Sequence, residues 1–287
     1  MAGVTSRVSV AMTTFNGARY VEEQLESFAS QTRPPDQVVV CDDQSSDDTL
    51  DRVRAFADRV PFEVHAERNP ERLTTTNNFG KAVGLCDGDV VFFADQDDVW
   101  LPNKIQTVLD VFASRPDVGA VFSNGRVVDG NRTPLGYTLW DSLWFDPSER
   151  DAVRRGRAVD VFVRHVVAAG TTLAWRGEFR DLILPFPALH DCHDAWVSFL
   201  VTAVSGVAIV EEPLIDYRLH GDNQFGLQRF NLREQLAKAR EQLEKNIFGH
   251  NVSFFSAVQD RLRERAHLGF EASGATCRAV AAKIAHA

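Results

Sequence analysis

The chain is poor in the features that mark several common protein classes. Its four cysteines, Cys41, Cys86, Cys192 and Cys277, are scattered through 287 residues without Cys-x-x-Cys spacing. Neither a zinc site nor a disulfide frame is expected, and a reducing compartment is. No run of 18 apolar residues occurs, so no membrane-spanning helix is expected, and Met1 to Arg7 is a polar lead unlike a signal peptide. Lys and Arg number 31 against 40 Asp and Glu. Nucleic acid, which needs a basic footprint, is therefore not an expected partner. There is no Gly-x-Gly-x-x-Gly after the first strand and no P-loop; a nucleotide would have to be held by carboxylates, hydroxyls and a metal instead. A cytoplasmic protein follows, free or peripheral at the inner face of a membrane.

What is present is a strand that runs into acids. Val90-Val91-Phe92-Phe93-Ala94 reads as a buried strand of an α/β sheet, and Asp95-Gln96-Asp97-Asp98-Val99-Trp100 follows it. Ligands of open α/β sheets collect at the carboxyl ends of such strands. Asp95 and Asp97 are two apart, so an extended backbone points them the same way. Their repulsion is relieved by a divalent cation placed between them and an anionic substrate. The alternative is an acidic turn capping the next helix.

The preceding residues repeat the pattern. Val8 to Met12 is a first strand, with a turn at Asn16-Gly17 and a helix carrying Val21, Leu25 and Phe28 on one face. Gln37 to Cys41 is a second strand, again ending in acids from Asp42 to Asp48. A helix, a strand from Phe62 to Ala66 and a helix from Asn77 to Cys86 lead into the acidic-ended strand. This β-α-β-α-β-α-β order implies a mostly parallel sheet with right-handed crossovers.

Three spaced elements now resemble one family. Val8-Ser9-Val10-Ala11-Met12-Thr13-Thr14-Phe15-Asn16-Gly17, Val40-Cys41-Asp42-Asp43-Gln44-Ser45-Ser46-Asp47 and Asp95-Gln96-Asp97-Asp98 are similar to family 2 nucleotide-sugar glycosyltransferases of GT-A fold, in particular the bacterial rhamnosyltransferase-like branch. The resemblance implies a nucleobase held by Thr13 and Asp43, with Phe15 and Asn16 beside them on the donor. A carboxylate at Asp43 can accept the imide N–H of uracil or thymine. The resemblance further places Asp95 near the ribose and metal-bound waters, and makes Asp97 a ligand of Mg²⁺ or Mn²⁺. Asp98 is less defined and could cap the helix after it. Asp42 and Asp43 could also cap a helix, although Asp47 is placed to do that alone.

Val118 to Ser123 is a further strand, and 125–148 reads as a long loop containing Tyr137, Trp140, Trp144 and Phe145. Its aromatic faces could stack on an acceptor sugar or simply pack together. Ala169 to Trp175 is a strand entered through Gly170, a glycine that by the resemblance lies beneath the donor sugar, where it could permit close approach. His190-Asp191-Cys192-His193-Asp194-Ala195-Trp196 opens a helix. By resemblance Asp194 is the general base, with Asp191 as the alternate in this doubled His-Asp register. Such a base contributes on the order of 10²–10⁴-fold. Trp196 beside it joins Trp140 and Trp144 as a candidate acceptor contact.

Val207 to Val210 is a strand, and Tyr217-Arg218-Leu219-His220-Gly221-Asp222-Asn223 again resembles the rhamnosyltransferase-like branch, making His220 a second metal ligand. Arg218 is open to phosphate or to Asp216. Residues 1–226 are thus expected as a GT-A catalytic domain, its nucleotide half about 1–124 and its acceptor half about 125–226, followed by a helical extension over 227–287. The basic residues of that extension, Arg261 and Arg265 among them, read as a solvated face, with a membrane or homodimer contact as alternatives.

The implied activity is inverting transfer of a sugar from dTDP-rhamnose or a UDP-sugar to a saccharide, lipid-linked or small-molecule hydroxyl. The rivals are a metal-dependent hydrolase built on His190, Asp191, His193 and Asp194, and a nucleotide-sugar binding module without catalysis.

Overall fold

In the computed structural model, residues 6–189, 193–221, 223 and 247–285 are described. Among them nine strands form one mixed sheet in the order β3-β2-β1-β4-β8-β6-β9-β5, with β7 hairpinned onto β6. The first half follows the alternation expected. Strands β1 (Val8–Thr14), β2 (Gln37–Asp42), β3 (Glu63–Arg68) and β4 (Val90–Ala94) are mutually parallel. Between them run α1 (Val21–Ala29), α2 (Thr49–Ala57) and α3 (Thr75–Leu85).

The sheet is apolar on both faces because its central strands alternate within themselves. Val8, Val10 and Met12 of β1 join one core with Leu25 and Phe28 of α1 and Val53 of α2. Ala11, one position out of phase, joins the other with Phe79 of α3. Strand β5 (Val99–Trp100) and α4 (Lys104–Ser114) follow the acidic loop. Trp100 is 2% exposed and packs against Phe28 and Phe92.

The second half departs from expectation in two places. Strand β6 (Val118–Val128) continues past Ser123, and the presumed loop then forms β7 (Pro134–Thr138) and short helices α5 (Leu139–Ser142), α6 (Pro147–Arg154) and α7 (Ala158–Phe162). Gly125 and Pro134 disguised the hairpin. Gly125 is small because Leu139 and Ile215 side chains fill the space a Cβ would take, and Pro134 sits on the outer strand, where a missing N–H is tolerated. Strand β9 (Gly206–Arg218) likewise runs eight residues beyond Val210, parallel to β6 through register shifts.

Strand β8 (Leu173–Arg176), entered through a 3₁₀ turn at Gly170–Thr172, is antiparallel between β4 and β6. It joins the strands of the first half to those of the second in a single sheet.

Helices α8 (Arg180–Ile183) and α9 (His193–Val204) pack on the α3 face, and so do α10 (Ile247–Arg265) and α11 (Gly274–Ala285). The expected solvated face of the extension is corrected at Arg261. That side chain is 8% exposed, donates to the carbonyls of Leu182, Ile183 and Pro185, and lies over the Trp196 ring. Arg265 donates to the Leu184 carbonyl. These guanidiniums satisfy carbonyls at the end of α8 that would otherwise be orphaned. No helix among the described residues is long and apolar enough to cross a membrane.

Candidate active site

The carboxyl ends of β1, β2 and β4 open into a cleft of about 630 Å³, a size suited to a small-molecule ligand. Its near wall carries Thr13, Phe15, Asp43, Asp95 and Asp97; its far wall carries Gly170, Thr171, His193 and Asp194.

The two acids after β2 divide the work. Asp42 is fully buried and accepts hydrogen bonds from Thr14 Oγ1 at 2.9 Å and the Ser45 amide at 2.9 Å, closing the turn. Asp43 faces the cleft. Its Oδ1 accepts from Asn69 Nδ2 at 3.0 Å and the Leu73 amide at 2.7 Å, which fixes the carboxylate without a cap to α2. Asp47 serves that helix start instead, accepting from the Thr49 amide at 3.1 Å. Arg72 also lines the cleft, its guanidinium 3.6 Å above the Phe15 ring and 3.7 Å from Asp43 Oδ2. Nothing in the Asn69-Pro70-Glu71-Arg72 stretch signals that role; together with Leu73, Thr75 and Asn78 it was missed by sequence reasoning.

The acidic loop is held by its neutral member. Gln96 accepts from the Phe15 amide at 2.9 Å and donates to the Phe15 carbonyl at 3.0 Å, pairing the loop to the end of β1. Gly17 makes this approach feasible, because a Cβ there would lie 2.1 Å from Gln96 Oε1. Asp95 and Asp97 then line the cleft on either side of Gln96. Burial, then the neighbouring carboxylates of Asp98 and Asp97, push the Asp95 carboxyl well above the usual range.

Asp98 turns inward and is 1% exposed. It does not cap α4, whose N-cap is Asn103; its Oδ1 accepts from the Arg218 amide at 3.0 Å. Burial, with Asp97 adding repulsion, raises Asp98 to about 7.

His220 reaches the same place from the end of β9. Its Nε2 is 2.8 Å from Asp97 Oδ2, and its amide donates to Asn223 Oδ1 at 2.6 Å. Adjacent ligands of an octahedral ion at 2.0–2.1 Å stand about 3 Å apart, so this pair fits two neighbouring positions around a divalent cation. Among the described residues no three acidic, His or Cys side chains form a complete cage. Such a site suits an ion that keeps waters and shares substrate phosphates.

Several expected contacts are corrected. Arg218 is 1% exposed, does not pair with Asp216, and has its guanidinium engaged within the protein. It donates to the carbonyls of Asp97 and Gly130 at 2.8 Å each and to Glu23 at 2.7 Å, while Asp216 pairs with Arg126 and Arg132. Trp140 and Trp196 are buried and cannot be acceptor platforms. Trp140 packs on Phe122 and Phe145, and Trp196 Nε1 donates to the Ile183 carbonyl. Trp144 is 55% exposed at a left-handed residue (φ 60°) but does not line the cleft, although its neighbour Leu143 does. Asn16 is also off the cleft lining; its Oδ1 accepts from the Ser46 amide and its own amide donates to Ser45 Oγ.

The far wall rests on α9. Asp194 lies in the first turn of that helix, and its Oδ1 accepts from the Ala195 amide at 2.7 Å. His193 stacks on Phe79 at 4.2 Å and meets Phe93 edge-on at 5.3 Å. Gly170 sits against both: a Cβ there would be 2.7 Å from His193 Nε2 and 3.6 Å from Asp194 Cβ. The alternate base Asp191, and His190 with it, lie outside the described residues.

Residues 9–172 match the profile described as Glycosyl transferase family 2. The chain belongs to glycosyltransferase family 2. Among its relatives is the dTDP-rhamnosyl transferase RfbG of Shigella flexneri, 26% identical over 235 residues, 75% of this chain and 73% of that one.

Among solved structures it is similar to residues 1–349 of S. aureus TarS in complex with UDP-GlcNAc, with TM-score 0.62 and 15% identity over 97% of this chain and 71% of that one. It is also similar to the mannosyltransferase PcManGT of Pyrobaculum calidifontis in complex with GDP-Man and Mn²⁺, with TM-score 0.58 and 20% identity over 99% and 75%. The fold of this family 2 glycosyltransferase is GT-A, and its family membership sets the hydrolase reading aside.

Proposed function

We propose that this family 2 enzyme moves a sugar, with inversion, from a pyrimidine nucleoside diphosphate to an acceptor hydroxyl. The observation that carries the reading is a single cleft lined by Asp43, Asp97 and Asp194, with His220 2.8 Å from Asp97. Asp43 is oriented to accept the imide N–H of uracil or thymine, beside Thr13. Asp97 and His220 would hold Mg²⁺ or Mn²⁺, with Asp95 nearby for its waters. Such an ion supplies charge neutralisation for a departing diphosphate.

Across the cleft, Asp194 takes the acceptor's proton. One oxygen is engaged by the Ala195 amide, and a carboxylate so held has a second oxygen to receive it. One base opposite one leaving group means single displacement, hence inversion at the anomeric carbon. A rhamnosyl donor is supported by the relationship to RfbG, and a UDP-sugar is the alternative.

The test is a nucleotide-release screen over dTDP-, UDP- and GDP-sugars, with and without chelator. Chelator-sensitive release from a pyrimidine donor supports the proposal; release only from a GDP-sugar overturns the pyrimidine reading. Asp194→Asn should bind donor yet lose on the order of 10²-fold or more in transfer. Full turnover in that variant removes the base.

A further inference from the structure

A lysine with no part in the chemistry above stands behind the cleft. Lys104 opens α4 and is fully buried. Its ammonium donates to the Thr171 carbonyl at 2.5 Å and lies 4.2 Å from the centre of the Trp100 ring. Burial pulls the ammonium down to about 7, while the charges of Asp98 and Asp95 act the other way. An aliphatic side chain would fill this space without the cost of desolvating a charge. The ammonium therefore has to be explained by what it connects.

It connects the far wall to the element behind the near one. On one side is the Trp100 ring of β5, the strand that directly follows the acidic loop, with the ammonium 4.2 Å from its centre. On the other is the Gly170–Thr172 turn, whose Gly170 and Thr171 line the cleft. Gly170 in turn has no room for a methyl group against His193 and Asp194. The contacts run without a gap from ammonium to Thr171 carbonyl, to Gly170, to the start of α9.

We infer that Lys104 is a positioning residue that fastens the Gly170–Thr172 turn to Trp100 and the start of α4, directly after the acidic loop, and so sets where Asp194 stands across from the donor. This rests on the reading of Asp194 as base. Lys104 itself touches no substrate, since it is fully buried and does not line the cleft. Its removal should disturb the far wall more than the nucleotide site, because Asp43 is held separately by Asn69 and Leu73.

The test uses Lys104→Met, which keeps the aliphatic stem over Trp100 and removes the donor and the charge. The double variant Lys104→Met/Asp98→Asn removes one charge of each sign and serves if the single variant does not fold. Amide hydrogen exchange is read by segment, alongside UDP affinity in Mn²⁺ and kcat for transfer.

Exchange across 169–173 should rise about tenfold or more while 8–14 keeps its protection. UDP affinity should hold within about threefold while kcat falls about tenfold or more. Unchanged exchange in 169–173 overturns the inference, and so do UDP affinity and kcat falling in step. The exchange readout does not depend on which residue is the base, so failure of the Asp194 assignment would show separately, as full turnover in Asp194→Asn.

Discussion

Gly170→Ala adds one methyl group where the far wall has no space. The backbone there is not left-handed, so the effect is steric. The new carbon would lie 2.7 Å from His193 Nε2, whereas an unstrained contact is about 3.5 Å. Something must therefore move by roughly 0.8 Å. The imidazole cannot simply swing aside, because Phe79 stacks on it at 4.2 Å and Phe93 meets its edge at 5.3 Å.

Overpacking of this kind costs about 1–3 kcal/mol, equivalent in a chain of this size to a fall in Tm of roughly 2–5 °C. The movement passes to Asp194, whose Cβ is 3.6 Å from the added carbon. A misplacement near 1 Å can cost on the order of 10² in rate. The assay is a melting curve with single-turnover transfer at saturating donor, plus nucleotide affinity by calorimetry. Rate and Tm should fall while nucleotide affinity holds. A variant with wild-type melting and wild-type rate would refute the packing argument.

Arg218→Met should lower stability by about 3 kcal/mol or more, since it strands the buried carbonyls of Asp97 and Gly130 and removes the partner of Glu23. Urea unfolding reads the loss, and Mn²⁺ affinity should weaken with it because Asp97 loses its main-chain tether. The thiols give a pH-dependent check. Burial pushes Cys41 and Cys86 up to about 12 from an ordinary value of 9.0, so the unfolded chain releases these protons first. Their contribution to stability is complete below pH 9 and is lost as pH rises toward 12. At pH 8 an alkylating agent should label exposed Cys277 in the native protein and reach Cys41 and Cys86 only after unfolding.

Much of the donor half was legible because its signals are local. A doubly buried strand announces itself by continuous bulk, as Val90 to Ala94 does, and acids placed directly after it must face the sheet edge. The positions of Asp43, Asp95 and Asp97 at the sheet edge were legible that way, while the roles of Asp43 and Asp97 and the pairing of Asp97 with His220 were implied by the family resemblance.

The far half was harder because its determinants are non-local. Nothing near Lys104 says that its ammonium will be buried against Thr171, 67 residues on. Arg218 looks like a phosphate ligand beside its motif, yet its partners Glu23, Asp97 and Gly130 come from three separate segments. Trp196 was misread, and Trp140 left open between stacking and packing, for the same reason: an aromatic in a presumed loop or at a helix start gives no sign that a core will close over it.

The most direct test is calorimetry of UDP and dTDP binding to the wild-type protein and to Asp97→Asn, each in Mn²⁺ and in EDTA. Chelation should weaken wild-type binding on the order of 10²-fold, and Asp97→Asn in Mn²⁺ should match the chelated wild type. Equal affinity in all four titrations would contradict the role given to Asp97 and the cation.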